Sequence, residues 1–257
     1  MWCFNSLSCT INLGVKSSYR FERSTVTRSG SDRNKQKVIK KLHKMTVKHT
    51  DCIWIGIGID IAPSDSVFSQ LTKLNSQLNQ EFGSPYNLKL NPLHINLYDL
   101  DISEDNLEKA DVILREVTRK SSTFSIKLGK VSFFEHGSIF VACEPNEPLK
   151  TFEREIVEAI VPFKGTCRTE EYWEPWRQYT EQQKIYREQY GNPHVLDAFT
   201  PHITVGYVKK EKTELEKITN QLSEKFEASE FTVKQISMAI QNSEGKIVER
   251  KIYNLSN

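Results

Sequence analysis

Two short segments of the chain each place a histidine beside a small hydrogen-bonding side chain. They are Pro92-Leu93-His94-Ile95-Asn96-Leu97 and Pro201-His202-Ile203-Thr204-Val205-Gly206. In an extended strand successive side chains point to opposite faces, so His94 and Asn96 share one face of their strand. His202 and Thr204 are placed in the same way on theirs. Two imidazoles that face each other across a cleft could hold a phosphate group and move protons on both sides of it.

The elements around the two histidines recur in the same order. Before His94, a helical stripe opens at Pro63 and Ser64 and closes at Gly83; its apolar residues are Val67, Leu71, Leu74, Leu78 and Phe82. After each histidine come a helix and a strand that starts with Phe; the helices are predicted at 104–120 and 213–226, and the strands begin at Phe124 and Phe231. This order predicts a duplicated β-α-β unit with a pseudo-two-fold axis between its copies.

Alternation and turn residues predict the remaining elements. Residues 52–61 alternate isoleucine with other residues, which is typical of a strand. Hairpins are expected from 124–134 with 138–143 and from 231–240 with 246–255, and a helix over 148–160. Gly56 and Gly58 lack the third glycine of a dinucleotide-binding loop, so that fold is not favoured.

Composition indicates a globular protein of a reducing compartment. The hydrophobic content is 38%, and no apolar run approaches the roughly 20 residues that cross a membrane. The five cysteines are scattered without a C-x-x-C pair, which favours free thiols over a disulfide frame or a zinc site. We therefore expect a cytoplasmic protein that does not bind membranes.

The net charge of +2 conceals a basic head. The first 50 residues hold 11 of the 35 Lys and Arg and only two of the 33 acidic residues. This head, residues 1–50, is expected to be flexible. It is a nucleic-acid-binding arm, an organelle-targeting segment or sequence upstream of a start at Met45. The remaining residues carry more acid than base and are not expected to hold long nucleic acid by bulk electrostatics.

A segment rich in aromatic residues and arginine, residues 166–198, precedes the second histidine and has no counterpart before the first. On a helix its aromatic side chains would share one stripe, formed by Tyr172, Trp176, Tyr179, Tyr186 and Tyr190. Either this stripe packs against the body, or the segment is a lid. In the lid interpretation its rings stack on a base and its arginines contact phosphate, with Trp176, Arg177 and Tyr179 as candidate substrate contacts.

The two motifs, in register within an internal repeat, resemble those of the two-histidine phosphoesterase superfamily. Within it they are most similar to the 2'-5' RNA ligase-like and RNA 2',3'-cyclic phosphodiesterase group. The resemblance covers residues 52–255, without the basic head and the aromatic segment. The second motif fits the family pattern, whereas the first has Asn96 where a Ser or Thr is usual.

The resemblance implies a bilobed α+β fold in residues 51–257, with two antiparallel sheets that form a central cleft flanked by helices. It implies that His94 and His202 are the catalytic pair and that Asn96 and Thr204 bind the phosphate. Neither a metal nor another cofactor is implied. The expected partner is a nucleotide or short RNA substrate, and the chain is expected to be a monomer. His136 and His194 are expected to be surface residues.

The implied activity is a metal-independent phosphodiesterase that opens 2',3'-cyclic phosphates or cleaves 2',5'-phosphodiester bonds of RNA-type substrates. Ligation is the same reaction run backwards. Two alternatives stay open. One is a non-catalytic nucleotide or RNA-end-binding module, which Asn96 favours. The other is a cyclic phosphodiesterase for a small substrate that is not RNA.

Overall fold

The computed structural model describes residues 52–165, 179–227, 229–242 and 245–256. These residues contain eight strands: β1 Cys52–Asp60, β2 His94–Ser103, β3 Phe124–Phe133, β4 Ser138–Cys143, β5 His202–Tyr207, β6 Glu230–Val233, β7 Gln235–Gln241 and β8 Ile247–Asn254. They contain five α-helices: α1 Phe68–Phe82, α2 Glu104–Lys120, α3 Glu147–Ile160, α4 Glu181–Tyr190 and α5 Lys212–Lys225. The fold is α+β. The basic head, residues 1–50, lies outside the described residues.

The helices lie where the hydrophobic period predicts them, but α1 begins at Phe68 and not at the predicted Pro63 and Ser64, which lie in a turn. Helix α1 ends at Gly83, whose φ of 66° suits a residue without a side chain and whose N–H donates to the carbonyl of Leu78. Helix α2 matches its predicted bounds, with acidic residues in its first turn and basic residues in its last, as the helix dipole favours. Helix α3 begins at an Asn146 cap, whose side chain accepts from Leu149 N at 2.8 Å.

The sheet differs from the two separate sheets that the sequence predicts. All eight strands form one antiparallel sheet in the order β6-β3-β4-β5-β2-β1-β7-β8. Its two four-stranded halves meet where β2 pairs with β5 at Ile95 and Ile203. Each half draws strands from both motif regions: β3 and β4 join β5 and β6 in one half, whereas β7 and β8 join β1 and β2 in the other. The two predicted repeats therefore do not form two consecutive blocks, and the two-sheet duplication is not confirmed.

One predicted strand, residues 231–240, is divided in the structure at Lys234. Strand β6 pairs with β3, from Phe124 opposite Val233, at one edge of the sheet. Strand β7 pairs with β1 in the other half. The chain has to break between them because the two strands belong to opposite halves of the sheet. The hairpin of β3 with β4 and that of β7 with β8 are confirmed.

The core fixes the second motif strand firmly. Ile203 and Val205 of β5 are fully buried, together with Leu78 of α1. Asn75 of the same helix is buried and donates its side-chain N–H to the carbonyl of Val205 at 2.8 Å. A buried hydrogen bond of this kind is costly to lose, so it holds β5 in place along α1. Among the described residues, no helix combines the length and the apolarity that crossing a membrane would need.

The first motif strand carries a β-bulge directly after its motif. Gly58 of β1 is opposite Asn96, but the preceding Ile57 is opposite Tyr98, so Leu97 is the extra residue. Leu97 and Tyr98 are both buried in the core. The bulge shifts the alternation by one residue, so Asp99 lies on the same face as Asn96. We call this surface, which carries His94, Asn96, His202 and Thr204, the motif face.

The glycine at position 58 lets the two strands approach at the bulge. A Cβ at Gly58 would lie 2.7 Å from the carbonyl oxygen of Ile95 and 3.7 Å from Cδ2 of His94. The first of these distances is a clash with backbone that can be relieved only if β2 moves.

We therefore expect Gly58→Ala to destabilise the fold by about 1–3 kcal/mol, as overpacking does, and to displace His94. Chemical denaturation and nucleotide binding would measure the two effects. Gly129→Ala is the matched control, because its Cβ would lie 3.4 Å from the nearest atom, the carbonyl oxygen of Ala142, and should cost little. Equal stability of the two variants would contradict the expectation.

Candidate active site

The single pair between β2 and β5 brings the four predicted motif residues together. In an antiparallel ladder the neighbours of a facing pair also face each other. With Ile95 opposite Ile203, His94 is therefore placed opposite Thr204 and Asn96 opposite His202. All four side chains project from the motif face and are half-buried. Each histidine thus has the small polar residue of the other motif as its cross-strand neighbour.

Both histidine rings are oriented by the same backbone hydrogen bond. Nδ1 of His94 lies 2.7 Å from the carbonyl oxygen of Pro92, and Nδ1 of His202 lies 2.7 Å from that of Thr200. A carbonyl only accepts, so Nδ1 carries the hydrogen in each ring. In the neutral ring Nε2 then bears the lone pair, which fixes the atom that exchanges a proton.

Burial lowers the pKa of both imidazoles. Desolvation is the main cause at each ring, and it lowers the pKa of His202 to about 4; a charge on His194 also acts to lower it. The pKa of His94 is lowered as well. Both rings are therefore neutral in the free protein at neutral pH. A bound phosphate would raise both pKa values, because its negative charge favours the protonated ring.

The ring of His202 packs against an aromatic cluster. Its centroid lies 5.0 Å from that of Phe134 and 4.9 Å from that of Phe140. Phe140 is the β4 partner of Thr204. His136, which the sequence predicts as a surface residue, stacks on Phe134 at 5.5 Å and is half-buried. Nothing in the sequence of the turn that contains His136 indicated this contact.

A charged pair lies beside His94. Asp60 of β1 is directly opposite His94 and forms an ion pair with Arg250 of β8, with Nη1 2.5 Å from Oδ1. The same nitrogen donates to the hydroxyl of Ser237 at 3.1 Å. The carboxylate favours the protonated form of His94 and the guanidinium opposes it, so their effects on its pKa partly offset each other.

Asn96 is held by a residue that the sequence analysis missed. Its Nδ2 donates to Oδ1 of Asp99 at 3.0 Å, and Nδ2 of Asn192 donates to the same oxygen at 2.6 Å. Oδ1 of Asn96 is buried and has no hydrogen-bond partner among the described residues, at a cost of roughly 1–3 kcal/mol. A bulge at Leu97 brings Asp99 to this face. Its only signal in the sequence was the pair of adjacent apolar residues Leu97 and Tyr98, which breaks the alternation of the strand.

The aromatic segment is described from Tyr179 onward. Tyr186 is buried and Tyr190 packs against the core, with their ring centroids 5.7 Å apart, which supports the packing interpretation for these two residues. Tyr179 contacts the ring of His194 at 5.9 Å, and the charge of His194 acts on His202. His194, predicted as a surface residue, is therefore close to the site. Trp176 and Arg177 lie outside the described residues, so their predicted contacts stay predictions.

Among the described residues there is no group of three or more His, Cys, Asp or Glu side chains that could hold a metal ion.

Comparison with known protein families assigns the chain to a superfamily. A family model described as the 2'-5' RNA ligase superfamily matches residues 63–245, which include both motifs. The chain belongs to this superfamily. The predicted membership of the two-histidine phosphoesterases is thereby confirmed. The search of curated proteins found no match.

The chain is also similar to solved structures. TT0787 of Thermus thermophilus is similar with a TM-score of 0.51 and 13% identity, over 79% of this chain and 100% of that one. E. coli LigT complexed with NADP+ gives a TM-score of 0.47 and 12% identity, over 80% and 99%. Usb1 of Kluyveromyces marxianus gives 0.43 and 12%, also over 80% and 99%. At these identities the likeness to TT0787 shows the fold alone.

The depressed pKa of His202 makes stability depend on pH in a defined direction. Its pKa is about 4 in the folded chain, against about 6.5 when unfolded. Between these values the unfolded chain binds more protons, so this residue's contribution is complete above about pH 6.5 and declines toward about pH 4.

We expect His202→Gln to lose less Tm than the wild type between about pH 7 and about pH 4.5, because the variant has no group to protonate there. Differential scanning calorimetry at both pH values measures this. If Tm falls equally in the two proteins, His202 binds a proton as readily in the folded chain as in the unfolded chain.

Proposed function

We propose that this superfamily member is a metal-independent phosphodiesterase that acts on 2',3'-cyclic phosphates or 2',5'-phosphodiester bonds of RNA-type substrates. The observation that carries the proposal is the matched pair His94 and His202. Both rings have Nδ1 bound to the carbonyl two residues earlier, and both project from the motif face on either side of one strand pair. Two identically oriented imidazoles suit a reaction that needs one proton acceptor and one proton donor.

The surroundings of the rings assign their roles. His202 lies against Phe134 and Phe140, which stabilise a neutral ring, so His202 is the general base. His94 lies opposite the carboxylate of Asp60, which favours a protonated ring, so His94 is the general acid. The negative charge of the substrate's phosphate raises the pKa of His94. It thereby favours the protonated ring, which burial disfavours in the free protein.

In the hydrolysis of a cyclic phosphate, Nε2 of His202 takes a proton from the attacking water. The water oxygen bonds to phosphorus, the bond from phosphorus to one ribose oxygen breaks, and His94 protonates that oxygen. Thr204 donates its hydroxyl to a phosphoryl oxygen as negative charge develops there. Asn96 is the second residue at the phosphate. Ligation uses the same two proton transfers in reverse, with a ribose hydroxyl as the attacking group.

A binding module for nucleotides or RNA ends is the second candidate function. Two observations favour it: the lowered pKa values leave both rings neutral at neutral pH, and the amide nitrogen of Asn96 donates to Asp99. A protein of this kind would bind nucleotides without turnover. A cyclic phosphodiesterase for a small substrate that is not RNA would share the chemistry proposed above and differ only in substrate.

His94→Ala and His202→Ala should each lower kcat by at least about 100-fold, the usual effect of losing a general acid or base. Suitable substrates are adenosine 2',3'-cyclic phosphate, 2',5'-oligoadenylate and ADP-ribose 1'',2''-cyclic phosphate. Arg115→Ala, an exposed change on α2, is the control and should leave kcat unchanged. Turnover should survive excess EDTA. Nucleotide binding without turnover of any substrate would favour the binding module.

The lowered pKa values predict an unusual pH profile. The profile of kcat/KM reports the free protein, so its bell should lie below about pH 6.5, the ordinary histidine value. The profile of kcat reports the complex, in which the bound phosphate raises both pKa values, so its bell should lie at higher pH. Steady-state kinetics across the pH range would measure both. Coincident bells centred above neutral pH would contradict the assignment.

A further inference from the structure

We propose that Asp99 and Asn192 are positioning residues, which orient the Asn96 amide and fix the chain that enters the second motif strand. The proposal rests on the proposed function, because it concerns the geometry of that same site. Neither residue belongs to a motif.

Asp99 reaches the motif face only because of the bulge at Leu97. With regular alternation after Asn96, position 99 would point into the core, where Leu100 and Ile102 now lie. The bulge turns the carboxylate to the face of the motif residues instead. There it is almost fully buried, with 1% of its surface exposed. A buried carboxylate is retained in a fold only with partners that compensate its charge or its lost hydration.

Two amide donors hold the carboxylate of Asp99. Nδ2 of Asn96 and Nδ2 of Asn192 donate to its Oδ1. Oδ1 of Asp99 accepts from both amides, so it selects the nitrogen of each and turns the oxygen of Asn96 away. That oxygen is buried without a partner among the described residues. Its own bonding therefore does not explain the orientation, and Asp99 imposes it.

Asn192 links this arrangement to the second motif. Between β2 and β5 the paired residues are Ile95 and Ile203, so few backbone hydrogen bonds join the two strands at the seam. Asn192 lies in the chain that leads into β5, and its Oδ1 accepts from the backbone N–H of His194 at 2.8 Å. The bond from Asn192 to Asp99 therefore joins the first motif strand to the approach of the second.

The same approach is anchored a second time. The backbone N–H of Leu196 donates to Oε1 of Glu153, a buried residue of α3, at 3.0 Å. Leu196 has a φ of 54°, a conformation that needs support in a residue with a side chain. With one end held by Asp99 and the middle held by α3, the chain delivers His202 to the seam in a set position.

A reciprocal exchange tests the proposal. Asp99→Asn and Asn192→Asp should each lower kcat by about 10-fold with KM changed less than about twofold, as a lost positioning interaction does. The single Asn192→Asp variant places two carboxylates in contact. In the double variant the amide nitrogen of residue 99 can donate to residue 192, but it then occupies the place of the oxygen that accepted from Asn96. Tm should therefore recover, while kcat stays about 10-fold below that of the wild type.

The matched control is Asp111→Asn. Asp111 is another largely buried carboxylate, and its oxygens accept from Tyr253 and Lys251 between α2 and β8. Its variant should lower Tm and leave kcat unchanged. A wild-type kcat in Asp99→Asn would overturn the proposal. So would a double variant whose kcat returns to that of the wild type, because Asn96 has lost its acceptor there.

Binding separates this proposal from the proposed function. If the wild type turns over none of the substrates, the proposed phosphodiesterase is wrong, and the same variants are compared by the Kd of adenosine 3'-monophosphate in calorimetric titrations. A Kd that weakens about 10-fold in each single variant and stays weakened in the double variant supports the positioning role. An unchanged Kd in Asp99→Asn overturns it.

Discussion

The geometry of the site depends on one contact between strands, the pairing of Ile95 with Ile203. Both side chains are fully buried, so the core fixes this pair, and the antiparallel register then places the four motif residues around it. Because facing residues share a face, burying the two isoleucines is what turns the two histidines outward. The apolar residues within the motifs thus do as much to define the site as the polar ones.

Around that pair the protein orients polar groups before any ligand is bound. Each imidazole is fixed by a backbone carbonyl, and the first motif's amide is fixed by a carboxylate. Groups that are already oriented need no reorganisation when charge develops at a phosphate. Burial also prepares the site, because it lowers the pKa of both rings and so makes their protonation depend on a negatively charged ligand.

Local features of the sequence predicted local structure well. Periodicity gave the bounds of α2 and the end of α1 at Gly83, but α1 begins at Phe68 and not at Pro63 and Ser64. The repeated motif singled out His94 and His202, which lie on two paired strands. Strand pairing was predicted less well, because nothing within residues 231–240 indicates that its two ends pair with opposite halves of the sheet. Asp99 was missed because one inserted residue, Leu97, reverses the faces of all the residues that follow it in β2. The contacts of His136 and His194 arise from tertiary packing alone.

The order in which the strands join the sheet has a consequence for folding. The half that contains β2 is completed by β7 and β8, which are the last strands of the chain, while β3 and β4 join β5 on the other side of the seam. The half made of β3 to β6 comes from one contiguous stretch, whereas the half made of β1, β2, β7 and β8 closes only across that stretch. The contacts of this second half therefore span long sequence separations, and its folding is expected to be slow. During synthesis, β1 would keep an unpaired edge until β7 has left the ribosome, and an exposed edge of this kind makes a chain prone to aggregate.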